Sequence, residues 1–182
     1  MNLEKSINEL VISRWPEQWV ETPKVNPQYN RVRRISETHV VKFPEICESK
    51  DIFQWYKSSE ERCLESLQEV CKEFETHLLA FNLGLSVPKP EGIFEVFLRE
   101  NYRSVNIPGL VMEYIPGITV YELFTSNHPD IFNAELQRNE ELEKFEKLGF
   151  YDWDADNDLN AIWNPEKRKI YLIDFQYCEV RK

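Results

Sequence analysis

GFYDWDADNDLNAIWNPEKRKIYLIDFQ, residues Gly149 to Gln176, gathers five Asp and three Asn into one stretch and closes on an apolar run that ends at Asp174. A loop this acidic between apolar ends is suited to holding cations. Ala161 to Trp163 and Ile170 to Ile173 are rich in β-branched and aromatic residues, and Asn164-Pro165-Glu166-Lys167 between them has turn chemistry. The segment therefore predicts a short two-stranded hairpin. Antiparallel pairing brings Asn160, at the start of one strand, and Asp174, at the end of the other, to the same end of that hairpin. Both carry oxygen atoms able to ligate a hard cation such as Mg²⁺.

An Asn, then a hairpin, then hydrophobic-Asp-Phe resembles the protein-kinase-like superfamily, in which such an Asn and the Asp of an Asp-Phe-Gly motif hold Mg²⁺ on ATP. Three further stretches fit in the order that family requires. THVVKFPE (Thr38 to Glu45) resembles its third strand, with Lys42 as the phosphate-contacting lysine and Val40 on the nucleotide side. EFETHLLAFNLGLSVPKPEGIF (Glu73 to Phe94) resembles the C helix and its exit into the fourth strand, particularly as aminoglycoside-phosphotransferase-like kinases write it. PGLVMEYIPG (Pro108 to Gly117) resembles the fifth strand and hinge. There the resemblance implies Met112 as gatekeeper, with the carbonyl of Glu113 and the amide of Ile115 meeting adenine. The resemblance runs from about Asn26 to Gln176.

Its details leave choices open. The helix glutamate that pairs with Lys42 is Glu75 or Glu73: Leu78 and Leu79 after Glu75 match the family's apolar register, whereas counting back from Pro88 favours Glu73. We read Glu75 narrowly ahead. The family writes His-Arg-Asp-Leu-x-x-x-Asn, and that spacing counted back from Asn160 lands on Ala155. The base is then Asp154 or Asp156 with the loop altered, or Asp152 if Asn157 is the metal ligand, and Asp154 is our reading. A kinase also covers phosphates with a Gly-rich loop, but all five glycines, Gly84, Gly92, Gly109, Gly117 and Gly149, lie after the first strands.

Composition narrows the alternatives. With 182 residues, 42% of them hydrophobic and 13% aromatic, the chain can form one domain or two small lobes with a real core. A net charge of −10 argues against nucleic acid or an anionic membrane as partner, because phosphates are held by Lys and Arg. The cysteines, Cys47, Cys63, Cys71 and Cys178, have no CxxC spacing, and no apolar leader opens the chain, so free thiols in a reducing cytoplasm, its own or a host's, are expected. No run of about 18 apolar residues occurs. Asp152, Asp154, Asp156 and Asp158 also alternate as in a calcium loop, but that loop needs Gly where Asn157 stands and Glu where Trp163 stands.

In chain order, Leu3, Ile7, Leu10, Val11 and Trp15 predict an amphipathic helix over 1–15, and Gln18 to Phe43 reads as short strands. Glu60 to Leu83 reads as one or two amphipathic helices. Ile93–Leu98 and Leu110–Tyr114 read as paired strands with Arg99–Asn106 as a polar loop. Thr119–Phe124 is a short helix, and Asn133–Leu148 another with Leu136, Leu142, Phe145 and Leu148 inward. With only Tyr177 to Lys182 after Gln176, the expectation is a minimal kinase-like fold, or a fragment of one, without the activation segment and substrate platform of a kinase.

The expectation is an α+β, protein-kinase-like, two-lobed fold. An N-terminal lobe over 1–115 has an antiparallel sheet and C helix, and a strongly reduced C-terminal lobe covers 116–182. The resemblance implies ATP and Mg²⁺ as cofactors, Asn160 and Asp174 as metal ligands, and transfer of the γ-phosphoryl group to a hydroxyl, of a protein Ser or Thr. The alternative is a pseudokinase-like module that binds a protein partner without phosphotransfer.

Overall fold

The computed structural model describes residues 13–14, 32–44, 60–100, 103–152 and 154–181. The chain divides into two units, residues 1–74 with 90–114, and residues 75–89 with 115–182.

The first unit is a sheet backed by part of a long helix. Strands β1 (Ser13–Arg14), β2 (Val32–Arg34), β3 (His39–Lys42), β4 (Pro90–Glu100) and β5 (Arg103–Glu113) lie in the order β1-β4-β5-β3-β2. All neighbours are antiparallel except β1, which runs parallel to β4. The β2–β3 turn closes through Ser36 Oγ, which accepts from the His39 and Thr38 amides at 3.1 and 3.2 Å, a local hydroxyl turn of the kind Ser favours. Helix α1 (Glu60–Asn82) lays Leu67, Val70, Cys71 and Phe74 against Val40, Ile93, Leu110 and Met112 of the sheet. Those residues recur every three or four positions, so one stripe of the helix is covered.

Two expectations change here. Ser13 and Arg14 form a strand edge instead of ending a helix, because their backbone finds partners on β4; the rest of the 1–15 segment lies outside the described residues, as do 18–31 and 45–59. Arg103 to Asn106 belong to β5, paired with Phe97 to Glu100, so the polar stretch is mostly hairpin strand. Its polarity fits a hairpin end, where pairing does not require burial.

The second unit begins with the C-terminal end of α1. Gly84, at φ 80°, ends that helix: its amide reaches the Phe81 carbonyl at 3.0 Å and the Leu85 amide reaches Ala80 at 3.1 Å, a Schellman stop that needs a left-handed residue. Strand β6 (Ile118–Thr119) leads into α2 (Val120–Thr125), which opens on a capping box between Thr119 and Glu122. Helix α3 (Ile131–Lys147) ends at Gly149, φ 87°. Strand β7 (Phe150–Tyr151), a 3-10 turn (Asp158–Asn160), β8 (Ala161–Asn164), β9 (Lys169–Leu172) and β10 (Glu179–Val180) follow. The sheets are β6-β8-β9 and β10-β7. The β8–β9 hairpin pairs Ala161 with Leu172, and the Asn164 side chain accepts the Lys167 amide at 2.8 Å to make its turn, as the turn residues led us to expect.

The core of this unit is built on Trp163, Leu123, Val120, Ile170, Phe145, Phe150 and Phe175, with Ala80, Leu85 and Val87 joining from residues 75–89. Helix α3 buries Ala134 and Phe145, with Ile131 and Leu142 partly covered, whereas Leu136 and Leu148 are exposed. The helix starts two residues earlier than predicted, and Leu136 lies about 200° around from Ala134. Cys71 and Cys178 are buried and in no disulfide. No described helix is long and apolar enough to cross a membrane.

Candidate functional site

The first unit holds a buried cation. Lys42 ends β3 and its Nζ donates to Glu73 Oε1 at 2.7 Å, with the residues 5% and 3% exposed. Glu73 follows Val70 on the inward stripe of α1, while Glu75 is exposed. The narrow preference for Glu75 is therefore corrected to Glu73: two positions rotate a side chain about 200°, and only Glu73 faces the sheet. Beside Lys42, Val40 pairs with Met112 across β3 and β5, and both are buried. The Tyr114 amide donates to Thr38 at 2.7 Å. Alternation in an antiparallel ladder then turns the backbone groups of Glu113 away from β3. Ile115, the first residue of the second unit's longer segment, is buried, and its amide has no hydrogen bond among the described residues.

The second unit holds a loop of carboxylates and amides. The Asp152 carboxylate accepts the Asp154 amide at 2.9 Å. Asn157 Nδ2 donates to Asp154 Oδ1 at 3.2 Å, and Asn157 Oδ1 caps the following turn through the Leu159 amide at 3.0 Å. Asn160 Nδ2 donates to the Asp154 carbonyl at 3.0 Å and to Asp154 Oδ2 at 3.1 Å. A carbonyl oxygen only accepts, so this contact fixes which end of the Asn160 amide faces Asp154. Asn160 Oδ1 is left as an acceptor. Asp156, the other base candidate, is exposed.

The hairpin meets its expectation at this end. The Ile173 amide donates to the Asn160 carbonyl at 2.9 Å, which places Asn160 and Asp174 at the same end of β8 and β9. Asp174 is exposed and adopts φ 66°, a left-handed conformation uncommon outside glycine and often found where function demands it. Phe175 after it is buried, its ring 4.9 Å from His77 and 6.0 Å from Phe145. His77 Nε2 donates to the Pro88 carbonyl at 2.7 Å, so it is a packed histidine in the tautomer protonated at Nε2.

Arg138 is a residue that sequence reading missed. It lies on α3, and its guanidinium grips the Asp158 carboxylate through Nη1 and the Asp156 carbonyl at 3.1 Å through Nη2. One side chain thus ties the acidic loop to the helix before it. Nothing in the sequence singles it out among the charges of α3.

Among the described residues no three His, Cys, Asp or Glu side chains form a metal cluster. The donor set at the hairpin end still suits Mg²⁺, which takes one or two protein oxygens and completes its shell with water and phosphate. Asn160 Oδ1 and the exposed Asp174 carboxylate are such oxygens.

No protein-family profile matches the sequence, and no curated protein matches it. Solved structures resemble it in fold. A 2.2 Å crystal structure of WbdD is similar over 86% of this chain and 32% of that chain, with TM-score 0.55 and 18% identity. WbdD with the kinase inhibitor LY294002 is similar over 87% of this chain and 33% of that chain, with TM-score 0.54 and 18% identity. Another structure, described as that of the bifunctional kinase-methyltransferase WbdD, covers 81% of this chain and 30% of that chain at TM-score 0.49 and 18% identity. The chain spans about a third of the length of the solved chains it matches. By its sheet, its long helix and its likeness to WbdD, the chain has an α+β, kinase-like fold with a reduced second lobe.

Proposed function

We propose that this chain is an ATP-dependent phosphotransferase that uses Mg²⁺ and passes the γ-phosphoryl group to a hydroxyl. The observation that carries the reading is the buried pair of Lys42 and Glu73. Burying two charges costs more than burying apolar residues of like size. A cation held there by a carboxylate is suited to neutralising nucleotide phosphates.

The remaining roles follow from the second unit. Asn160 Oδ1 and the Asp174 carboxylate would hold Mg²⁺, which when bound neutralises charge on the transferred group. Asp154, gripped by Asn157 and Asn160, orients the acceptor hydroxyl. It takes the proton as that oxygen bonds to the γ-phosphorus and the bond to the bridging oxygen of ADP breaks. We read the acceptor as a protein Ser or Thr, and the net charge of −10 favours a basic one. The VPKP turn after α1 keeps the aminoglycoside-phosphotransferase-like resemblance within this proposal.

The test is ADP formation from ATP and Mg²⁺ with a basic protein acceptor, for the wild type beside Asp154→Asn and Asp174→Asn. A loss of about 10²–10³-fold in both variants is expected from removing a base or a metal ligand. Equal rates in Asp174→Asn would overturn the assignment. A second reading, a nucleotide-binding module without transfer, is favoured by Ala155 at the family's base spacing and by the absence of glycine from the first strands. It predicts ATP binding with no ADP formed in any of the three proteins.

A further inference from the structure

Helices α2 and α3 carry exposed apolar side chains that no described residue of the unit covers. On α3, Phe132 is 74% and Leu136 51% exposed, opposite the buried Ala134 and Phe145. On α2, Phe124 is 63% and Tyr121 50% exposed, beside the buried Val120 and Leu123. The two helices pack on each other, so these side chains lie on neighbouring elements. Single exposed hydrophobics are ordinary, but several on two helices packed together make a candidate docking surface.

Charge decides what fits it. Glu135, Glu140 and Glu146 are exposed on α3 and have no ion pair among the described residues. The helix's bases are already engaged: Arg138 by Asp158, Lys144 by Glu141 and Lys147 by Glu143. Glu140 and Glu143 continue the stripe of Phe132 and Leu136 at helical spacing. The face is thus apolar at its start and net acidic beyond. A second copy would set carboxylate against carboxylate, and phosphate-bearing surfaces would be repelled.

We propose that the outward face of α2 and α3 docks a basic amphipathic helix of a partner protein, its apolar stripe on Phe124, Phe132 and Leu136 and its Lys or Arg residues on Glu135 and Glu140. Such a partner helix would be read through its apolar anchors at i, i+3, i+4 and i+7, and its docking does not depend on phosphotransfer.

The test titrates the whole protein against a labelled synthetic helix of Leu and Lys in amphipathic register, read by fluorescence anisotropy. Phe132→Ser with Leu136→Ser, and separately Glu135→Gln with Glu140→Gln, should each weaken binding by about tenfold or more, the scale of lost hot-spot contacts. Leu83→Ser, at an exposed position on the α1 terminus, should leave binding unchanged. All the substituted side chains are exposed, so melting points should stay with the wild type. The proposal is overturned if the wild type does not bind. It is also overturned if all variants bind equally, which would mean attraction by net charge alone. Sedimentation showing a wild-type dimer that Phe132→Ser with Leu136→Ser dissolves would make the face a self-interface and overturn it too.

Discussion

Asn160 Nδ2 lies 3.0 Å from the Asp154 carbonyl oxygen and 3.1 Å from its carboxylate Oδ2, so one amide group fixes both the backbone and the side chain of Asp154. The same contact leaves Asn160 Oδ1 as an acceptor, the oxygen we propose for Mg²⁺. Asn160→Ala removes both functions. Stability should fall by about 1–2 kcal/mol, the worth of two partly exposed hydrogen bonds, as read by urea unfolding. ATP should still bind without metal, and Mg²⁺ should no longer tighten it, as read by titration calorimetry.

Lys42 and Glu73 test a different balance. Lys42→Met or Glu73→Leu alone strands a buried charge and should cost about 3–5 kcal/mol. Lys42→Met with Glu73→Leu together should recover most of that loss, because neither charge is left to desolvate. Urea midpoints of the four proteins give the cycle. Recovery of stability without recovery of ATP binding is the result expected if the pair is kept for the nucleotide.

Arg138 ties α3 to the acidic loop by a planar fork. Arg138→Met should cost about 1.5–3 kcal/mol as the charge-assisted bonds are lost. Arg138→Lys should recover little of it, since an ammonium cannot span the Asp158 carboxylate and the Asp156 carbonyl together. Urea unfolding of both variants measures this, and ADP formation should fall with the loop's order.

Gly117 sits where no side chain fits. An added Cβ would overlap the Trp163 carbonyl oxygen and stand 2.8 Å from Ile162 Cγ2. Gly117→Ala should lower stability by about 2–4 kcal/mol, the range of forced overpacking against backbone, as read by the thermal midpoint.

The β8–β9 hairpin was legible because turn residues and β-branched runs act locally, and that local reading was enough to bring Asn160 and Asp174 to one end. The long helix was legible for the same reason, from Leu67, Val70, Cys71 and Phe74 at helical spacing. Its partner for Lys42 was not. Glu73 and Glu75 both suit an amphipathic helix, and only the tertiary packing of Phe74 and Val70 on the sheet sets which carboxylate turns inward. Arg138 was out of reach because its partner Asp158 stands 20 positions away, and a surface helix rich in Glu and Lys gives no sign that one of its bases points in. The Leu136 face was misread because a stripe counted from Asn133 drifts off the true one that begins at Ile131.

The most direct test of the account is thermal melting with ATP and Mg²⁺, each alone and together, for the wild type, Lys42→Ala and Asp174→Ala. A ligand that binds only the folded state raises the midpoint by mass action, so even weak binding registers at high nucleotide concentration. The account predicts a rise in the wild type that is largest with both ligands present. That rise should disappear in Lys42→Ala and lose its Mg²⁺ dependence in Asp174→Ala. An unshifted wild type, or a rise of equal size in all three proteins, would contradict it.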